Sequence, residues 1–338
     1  MTASMSLTTA KKQLFPSHMF KTSSFFFFYL LFFNSLYSQT GYDEIHDFDK
    51  FKQGWALVEL NKKYGFIDTK GLEVVAPIYD NVYKYQADMV DWLKVEKNKQ
   101  YGFINSDGKE IVPPIYDEIN KFGEFQYHWA LVKLKGKYGF IDTTGKEVIS
   151  PQYNNIYRFN YYKEGWAEVE MNKKLGFINT KGQEIVAVMY DDFYRNSDYI
   201  VDWVKIKKNN KYGFLDATGK EIVSPVYEEI GSFDSYQYHW ALIKAKNKYG
   251  FIDTNGKEVI PPTYDRIYKF NSNNLRHLAL IKHHNKYGFI DLNGTEVVPP
   301  IYDKIGDFGD KHPFWVEVSI GRKKFFLDEE GKTVITKQ

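Results

Sequence analysis

The sequence repeats itself at a fixed step. Tyr-Gly-Phe begins at Tyr64, Tyr101, Tyr138, Tyr212, Tyr249 and Tyr287, with Leu175 once in the tyrosine's place. Each step is 37 residues except the last, which is 38. A second marker, Tyr followed by Asp, Glu or Asn, keeps the same step at Tyr42, Tyr79, Tyr116, Tyr153, Tyr190, Tyr227, Tyr264 and Tyr302. Counted from it, eight modules run 42–78, 79–115, 116–152, 153–189, 190–226, 227–263, 264–301 and 302–338. Length alone would suggest roughly two domains. A period of this size instead predicts one array, residues 39–338, whose units bury their apolar faces against one another.

A longer period overlies the first. Gly54-Trp55-Ala56 returns as Gly165-Trp166-Ala167, Asp91-Trp92 as Asp202-Trp203, and Tyr127-His128-Trp129-Ala130-Leu131 as Tyr238-His239-Trp240-Ala241-Leu242. Each pair is 111 residues apart, which is three modules, and duplication of a three-module block accounts for it.

Within a module the pattern is that of strands. In Trp55-Ala56-Leu57-Val58-Glu59-Leu60, Ala56, Val58 and Leu60 share one face, and Trp55, Leu57 and Glu59 the other. The first face stays apolar elsewhere, as in Ala130/Val132/Leu134. The second admits charge, as in Lys94/Glu96, which predicts one buried face. A polar turn at Asn61-Lys62-Lys63 leads into Tyr64-Gly65-Phe66-Ile67-Asp68. The turn Asp68-Thr69-Lys70-Gly71 follows, its glycine suited to a left-handed position. Leu72-Glu73-Val74-Val75 reads as a third strand that Pro77 stops, and Ile78-Tyr79-Asp80-Asn81-Val82 as a turn segment with a helical turn. Gly65 stands mid-strand, where an aromatic lying over it, Trp55 above all, would explain the glycine. The expected fold is therefore all-β: eight three-stranded meanders in tandem. An open β-solenoid-like superhelix and a closed β-propeller both satisfy the burial requirement. The last module, with Lys324-Phe325-Phe326 for Tyr-Gly-Phe and no proline exit, reads as a polar cap and favours the open form.

Blocks such as Lys248-Tyr249-Gly250-Phe251-Ile252-Asp253-Thr254-Asn255-Gly256-Lys257-Glu258-Val259-Ile260-Pro261-Pro262, followed by Tyr264-Asp265, resemble the WG (KWG) repeat family of bacterial proteins. The resemblance covers all eight modules. The Trp of the family's Trp-Gly pair is Tyr in six of them, Leu175 in one and Lys324 in the last. It implies a β-rich repeat fold and no reaction.

The N-terminus reads as an export signal, residues 1–38. Lys11, Lys12 and Lys21 precede the apolar run from Phe25 to Phe33, too short for the roughly 20 residues that span a bilayer. Cleavage after Ser38 would leave Gln39 first, and translation from Met19 would give a shorter signal of the same kind. The expected location is therefore outside the cytoplasm (periplasm, cell surface or medium), with no membrane span after cleavage. The chain has no cysteine, hence neither a disulfide nor a lipidated terminal Cys. Its formal charge of +2 becomes −1 without the three lysines of the signal, which leaves no electrostatic footprint for nucleic acid.

No catalytic constellation stands out. Asp68, Asn105, Asp142, Asn179, Asp216, Asp253, Asp291 and Asp328 recur after the second strand, but they lack calcium-loop spacing and suit turn formation. Glu73, Glu110 and Glu147 read as a solvated face. Histidines are scattered, without zinc spacing, and no nucleophile elbow or phosphate loop occurs. No cofactor and no metal is expected. The segments leading into the tryptophans vary most and are aromatic, which makes Tyr127, His128, Tyr161, Tyr162, Tyr236, Tyr238 and His239 the candidate surface for a ligand or partner. Against this stands burial at the core's rim, common for Tyr and Trp. The reading is a non-catalytic binding or protein-interaction scaffold. The alternative is a glycan-binding protein that holds cell-surface or cell-wall polysaccharide through those aromatics.

Overall fold

The structure is a computed structural model, and it describes residues 41–84, 90–195, 202–270 and 277–334. The segment expected to be an export signal, residues 1–38, and the last four residues lie outside the described residues. Among those described there is no helix; every regular element is a strand. The chain forms two compact units, divided between Ile115 and Tyr116.

Each module contributes one antiparallel sheet. In the first, β1 (Glu44–Phe48), β2 (Trp55–Leu60), β3 (Lys63–Asp68) and β4 (Glu73–Tyr79) lie side by side in chain order. The second sheet repeats this as β5 (Asn81–Lys84), β6 (Leu93–Lys97), β7 (Gln100–Ile104) and β8 (Glu110–Tyr116). Five more four-stranded sheets follow, spanning 118–153, 155–190, 192–227, 229–264 and 266–302, and a three-stranded one spans 304–327. None closes into a barrel. The fold is all-β, a tandem array of antiparallel sheets of the open, solenoid-like repeat kind.

Two local expectations need correcting. The segment after Tyr79 is not a turn: Asn81–Lys84 pairs with β6, Asn81 opposite Glu96 and Lys84 opposite Leu93, and so becomes the first strand of the next sheet. The sheets thus hold one strand more than the three-stranded meander read from the sequence. Pro77 does not stop the preceding strand either, which continues to Tyr79. β4 is an edge strand, where a missing N–H costs no ladder bond on the open side, and its register slips beside the proline. Tyr64 faces Tyr79 and Phe66 faces Val75, so two residues of β3 oppose four of β4.

That slip also explains Gly65. A Cβ there would overlap the Val75 carbonyl oxygen and lie 2.6 Å from the Pro77 nitrogen, so backbone, not an aromatic ring, fills its space. Trp55 packs on Phe66 instead, with ring centroids 5.2 Å apart, and the Trp–Phe contact recurs in Trp129–Phe140, Trp166–Phe177 and Trp240–Phe251.

The expected single buried face is two. In the first unit Trp55, Phe66, Val75 and Tyr79 of one sheet pack against Leu93, Val95 and Ile104 of the next. In the second unit Trp166, Phe177, Val186 and Tyr190 meet Phe193, Val204, Ile206 and Leu215 in the same way. The pattern repeats from Trp129 to Ala167, from Trp203 to Ala241, from Trp240 to Ala279 and from Leu278 to Val316. Each such interface joins a face of Trp and Phe, with Leu278 in the Trp place once, to an aliphatic face of the next sheet. The charges that suggested exposure lie near the hairpin end of the Trp face, where Lys94 stacks over Tyr101 at 4.3 Å and Lys205 over Tyr212 at 4.9 Å. The last sheet departs as its sequence predicts. His312 stacks on Trp315 at 3.9 Å, and Glu317 pairs with Lys311 and Lys324 on that face.

Candidate binding surface

The Tyr-Asp marker is the hinge of each repeat. Tyr closes a sheet and the acidic residue opens the next by pinning its hairpin. Asn61 and Lys62 both have positive φ, 52° and 61°, the geometry of a two-residue hairpin turn. In the second sheet the matching Asn98 amide donates to Asp80 Oδ2 at 2.6 Å, and Lys63 of the sheet before donates to Oδ1 of the same carboxylate. Lys63, with the Asn98 amide, holds Asp80 below the usual carboxylate range. Asp191, Asp265 and Asp303 repeat the arrangement with Lys174, Lys248 and Lys286.

The marker tyrosines carry a second link. Tyr116 donates to Glu147 at 2.8 Å, Tyr190 to Glu221 at 2.8 Å, Tyr227 to Glu258 at 2.6 Å and Tyr264 to Glu296 at 2.7 Å. The glutamates read as a solvated face do lie at the surface, but Glu110 and Glu147 also accept a phenol from the preceding sheet, and Glu73 one from Tyr42. Burial, reinforced by Glu110, pushes the Tyr79 phenol up to about 12. The recurring Asp and Asn close turns: Asp68 Oδ1 accepts from the Lys70 and Leu72 amides at 2.8 and 2.9 Å, and Asn105 and Asp253 do the same in their modules.

The aromatic candidates divide into two groups. Tyr127, Tyr161 and Tyr238 project from the loops before the Trp strands with 65%, 64% and 67% of their surface exposed. Tyr162 and Tyr236 turn inward. Tyr162 lies 5.3 Å from Phe177 and Tyr236 5.8 Å from Phe251, the place that Phe51 and Phe125 fill in their modules. His128 and His239 sit beside the exposed rings, with centroids 4.0 Å from Tyr127 and 3.7 Å from Tyr238. Both histidines hold φ near +65°, where Gly54 and Gly165 stand in other modules. The His239 amide donates to Asp234 Oδ1 at 2.5 Å, as the Gly165 amide donates to Asn160 Oδ1 at 2.6 Å. The loops of Tyr161 and Tyr238 are thus each fixed by one capping side chain, whereas the Tyr127 loop has Gly123 at that position.

One group the sequence reading passed over is Glu168. It occupies the position of Leu57, Leu131 and Leu242, half-buried beside Tyr162, with Oε2 lacking a hydrogen-bond partner. Burial raises its carboxyl above the ordinary value and Asp192 and Glu170 add to this, while a hydrogen bond from Tyr162 opposes it. Aligning the modules would have found it, since the column holds a carboxylate only there and at Glu317, which two lysines neutralise. Glu44, His46 and Glu59 bring possible ligand atoms within 4.8 Å of one another on the first sheet. They form an ordinary surface cluster of charge, with His46 Nδ1 3.4 Å from Glu44. Among the described residues no helix is long and apolar enough to cross a membrane.

Antiparallel sheets repeated every 37 residues and packed aromatic face to aliphatic face define a tandem all-β repeat protein. The chain belongs to the family described as WG containing repeat, which it matches over residues 39–64, 64–99, 101–138, 138–174, 176–212, 212–249, 249–287 and 287–312. No curated protein matches it. Solved structures to which it is similar include a eukaryotic initiation factor, 11% identical, with 79% of each chain covered and a TM-score of 0.26. Another is the dihydro-heme d1 dehydrogenase NirN, 14% identical, with 74% of this chain and 63% of that one covered and a TM-score of 0.24. A third is PorZ of Porphyromonas gingivalis, a surface component of the type-IX secretion system, 9% identical, with a TM-score of 0.21. This chain covers 46% of the PorZ chain, and 88% of its own length is matched. Likeness at this level carries no inference about activity or partners.

Proposed function

We propose that this chain is an exported, non-catalytic scaffold that binds a protein partner through its loop tyrosines. The observation that carries the reading is the set of three tyrosines, Tyr127, Tyr161 and Tyr238, exposed by about two thirds on loops before the Trp strands, two of which, those of Tyr161 and Tyr238, are capped by Asn160 and Asp234. Large, stiff aromatic side chains with a polar tip are favoured anchors at protein interfaces, because few rotamers are lost on binding. Export is supported by the basic and then apolar N-terminal segment, and a periplasmic, surface or extracellular location follows from it. The absence of a reaction is supported by the recurrence of the charged pairs. A catalytic pair needs an environment of its own, and here the same Lys–Asp and Tyr–Glu links repeat from module to module.

Exposed tyrosine rings are also platforms for sugar rings, so the same residues support a second reading, attachment to a cell-wall or surface polysaccharide. One experiment separates the two. The purified repeat domain, residues 39–338, is incubated with isolated cell-wall material and, separately, used to capture envelope proteins. Retention by protein that is lost in Tyr127→Ala/Tyr238→Ala supports the scaffold. Saturable co-sedimentation with the polysaccharide, lost in the same double variant, puts the glycan reading first. Binding that survives the double variant removes the loops from both.

A further inference from the structure

The fourth residue after each marker tyrosine is itself a tyrosine in four modules, Tyr83, Tyr157, Tyr194 and Tyr268, and a glycine in two, Gly231 and Gly306. In two of the four the ring lies on its own sheet beside the tyrosine of Tyr-Gly-Phe. Tyr83 is 6.3 Å from Tyr101, and Tyr194 is 6.0 Å from Tyr212. Tyr83 donates to Glu96 of the first strand pair at 2.6 Å, and at Tyr194 burial, with Asp192 beside it, raises the phenol.

Where it is glycine the same place is a cavity. The one over Gly231 is about 320 Å³, large enough for a six-membered ring with substituents. Leu242 forms its floor, Tyr212 and Tyr249 contribute rings, and Glu229 stands where Asp192 stands in the sheet before. A second cavity lies over Gly306, lined by the matching positions of the last sheet together with Asp310 and Lys311, so both cavities sit where a glycine replaces the tyrosine. The two sites differ in chemistry: Glu317 stands for Leu242, Ser319 for Lys244, Lys324 for Tyr249, and Lys304, which cannot accept a phenol's hydrogen, for Glu229. Glu229 Oε1 accepts from Lys244 at 2.8 Å, and a carboxylate has lone pairs for a further donor.

We propose that the cavity over Gly231 is a binding site for a tyrosine side chain of a partner protein. The incoming ring takes the place that Tyr83 and Tyr194 fill in their own sheets, against Tyr249, and its hydroxyl donates to Glu229. The site is separate from the loop tyrosines. It relies on the protein-binding reading only for the source of the side chain, and its test needs no partner.

The test titrates N-acetyltyrosinamide against residues 39–338 and follows binding by saturation-transfer NMR. Gly231→Tyr restores the residue that four other modules carry, at a position without positive φ, and circular dichroism checks its fold. The expected result is saturable binding that Gly231→Tyr abolishes and Gly306→Tyr leaves intact. N-acetylphenylalaninamide, which lacks the hydroxyl, should bind about tenfold more weakly. Glu229→Gln should bring the two amides close to equal affinity, an arm that stands even if Gly231→Tyr fails to fold. The proposal is overturned by an absence of binding, by binding that survives Gly231→Tyr, or by equal affinity for the two amides in the unaltered protein. Binding of a methyl glycoside in place of the tyrosine amide would overturn it too and make the cavity a sugar site.

Discussion

Tyr116 ends one sheet with its hydroxyl 2.8 Å from Glu147 of the next, a hydrogen bond across 31 residues of sequence. The same link joins Tyr190 to Glu221 and Tyr227 to Glu258, so the marker tyrosine is a clasp between neighbours as well as a core ring. Tyr227→Phe keeps the buried ring and removes the clasp. It should lower stability by about 1 kcal/mol, read as a shift in the urea midpoint without a change in slope. Glu258→Gln, which leaves an acceptor in place, should cost less.

These phenols also predict a sensitivity to alkali. Burial and the facing carboxylates raise their values, for Tyr79 from 10.0 to about 12. Above pH 10 the unfolded chain loses protons that the folded one keeps, so stability present below pH 10 drains away as pH rises toward 12. Thermal melts between pH 8 and pH 11 should show Tm falling only in the upper half of the range. Tyr79→Phe should flatten that fall, and an unchanged slope would mean that Tyr79 does not carry its share.

Gly139 lies against backbone as Gly65 does: a Cβ would overlap the Ile149 carbonyl oxygen and sit 2.7 Å from the Pro151 nitrogen. Neither neighbour is a side chain that can turn aside. Gly139→Ala should destabilise the second unit by about 3 kcal/mol, the upper end for overpacking. Alanine in place of Gly41, which has open space around it, should cost only its positive-φ strain of about 1 kcal/mol.

Glu168 should make stability fall as pH rises through its window. Its carboxyl is raised above 4.5 by burial, so the folded chain holds a proton there that the unfolded chain has released. Glu168→Gln should therefore melt higher than the parent at pH 7, with the difference closing toward pH 4. The gain should stay below about 1 kcal/mol, because solvent screens a half-exposed group. A lower melting point at pH 7 would show that the carboxylate is held by more than Tyr162.

The two groups of loop aromatics should separate in the same way. Tyr127→Ala and Tyr238→Ala remove exposed rings and should leave stability within about 0.5 kcal/mol. Tyr162→Ala and Tyr236→Ala remove rings packed on Phe177 and Phe251 and should cost about 3 kcal/mol. Chemical denaturation of the four variants checks both expectations.

Period, strand content and the two turns were legible in the sequence because each rests on local chemistry: alternation in Trp55–Leu60, positive-φ hairpin residues at Asn61-Lys62, and Asp68 folding onto its own turn amides. What was not legible depends on a neighbour. Asn81–Lys84 is polar and short, and it becomes a strand only because β6 offers it an edge. Lys94 and Glu96 looked solvated because a ring stacked beneath a lysine leaves no periodic mark. Tyr161 and Tyr162 are adjacent and chemically identical, yet one is exposed and the other packs on Phe177, a division set by the next sheet's Phe193 at 6.2 Å. The cavity over Gly231 was visible only as a missing side chain, which a single module does not reveal.

Within each unit, the Trp/Phe face of one sheet meets the aliphatic face of the next, led by Ala, Val or Leu, and the two are complementary halves of one joint. Every sheet therefore carries a plug on one side and a socket on the other, both of the same gauge. A gene that gains or loses a whole number of 37-residue units keeps every joint intact, whereas a cut inside a unit orphans two. The 111-residue echo between Tyr127-His128-Trp129 and Tyr238-His239-Trp240 has the form of such an event, three units copied at once with their loop tyrosines in place. Length in this protein is thus a heritable variable that selection can set without redesigning a core.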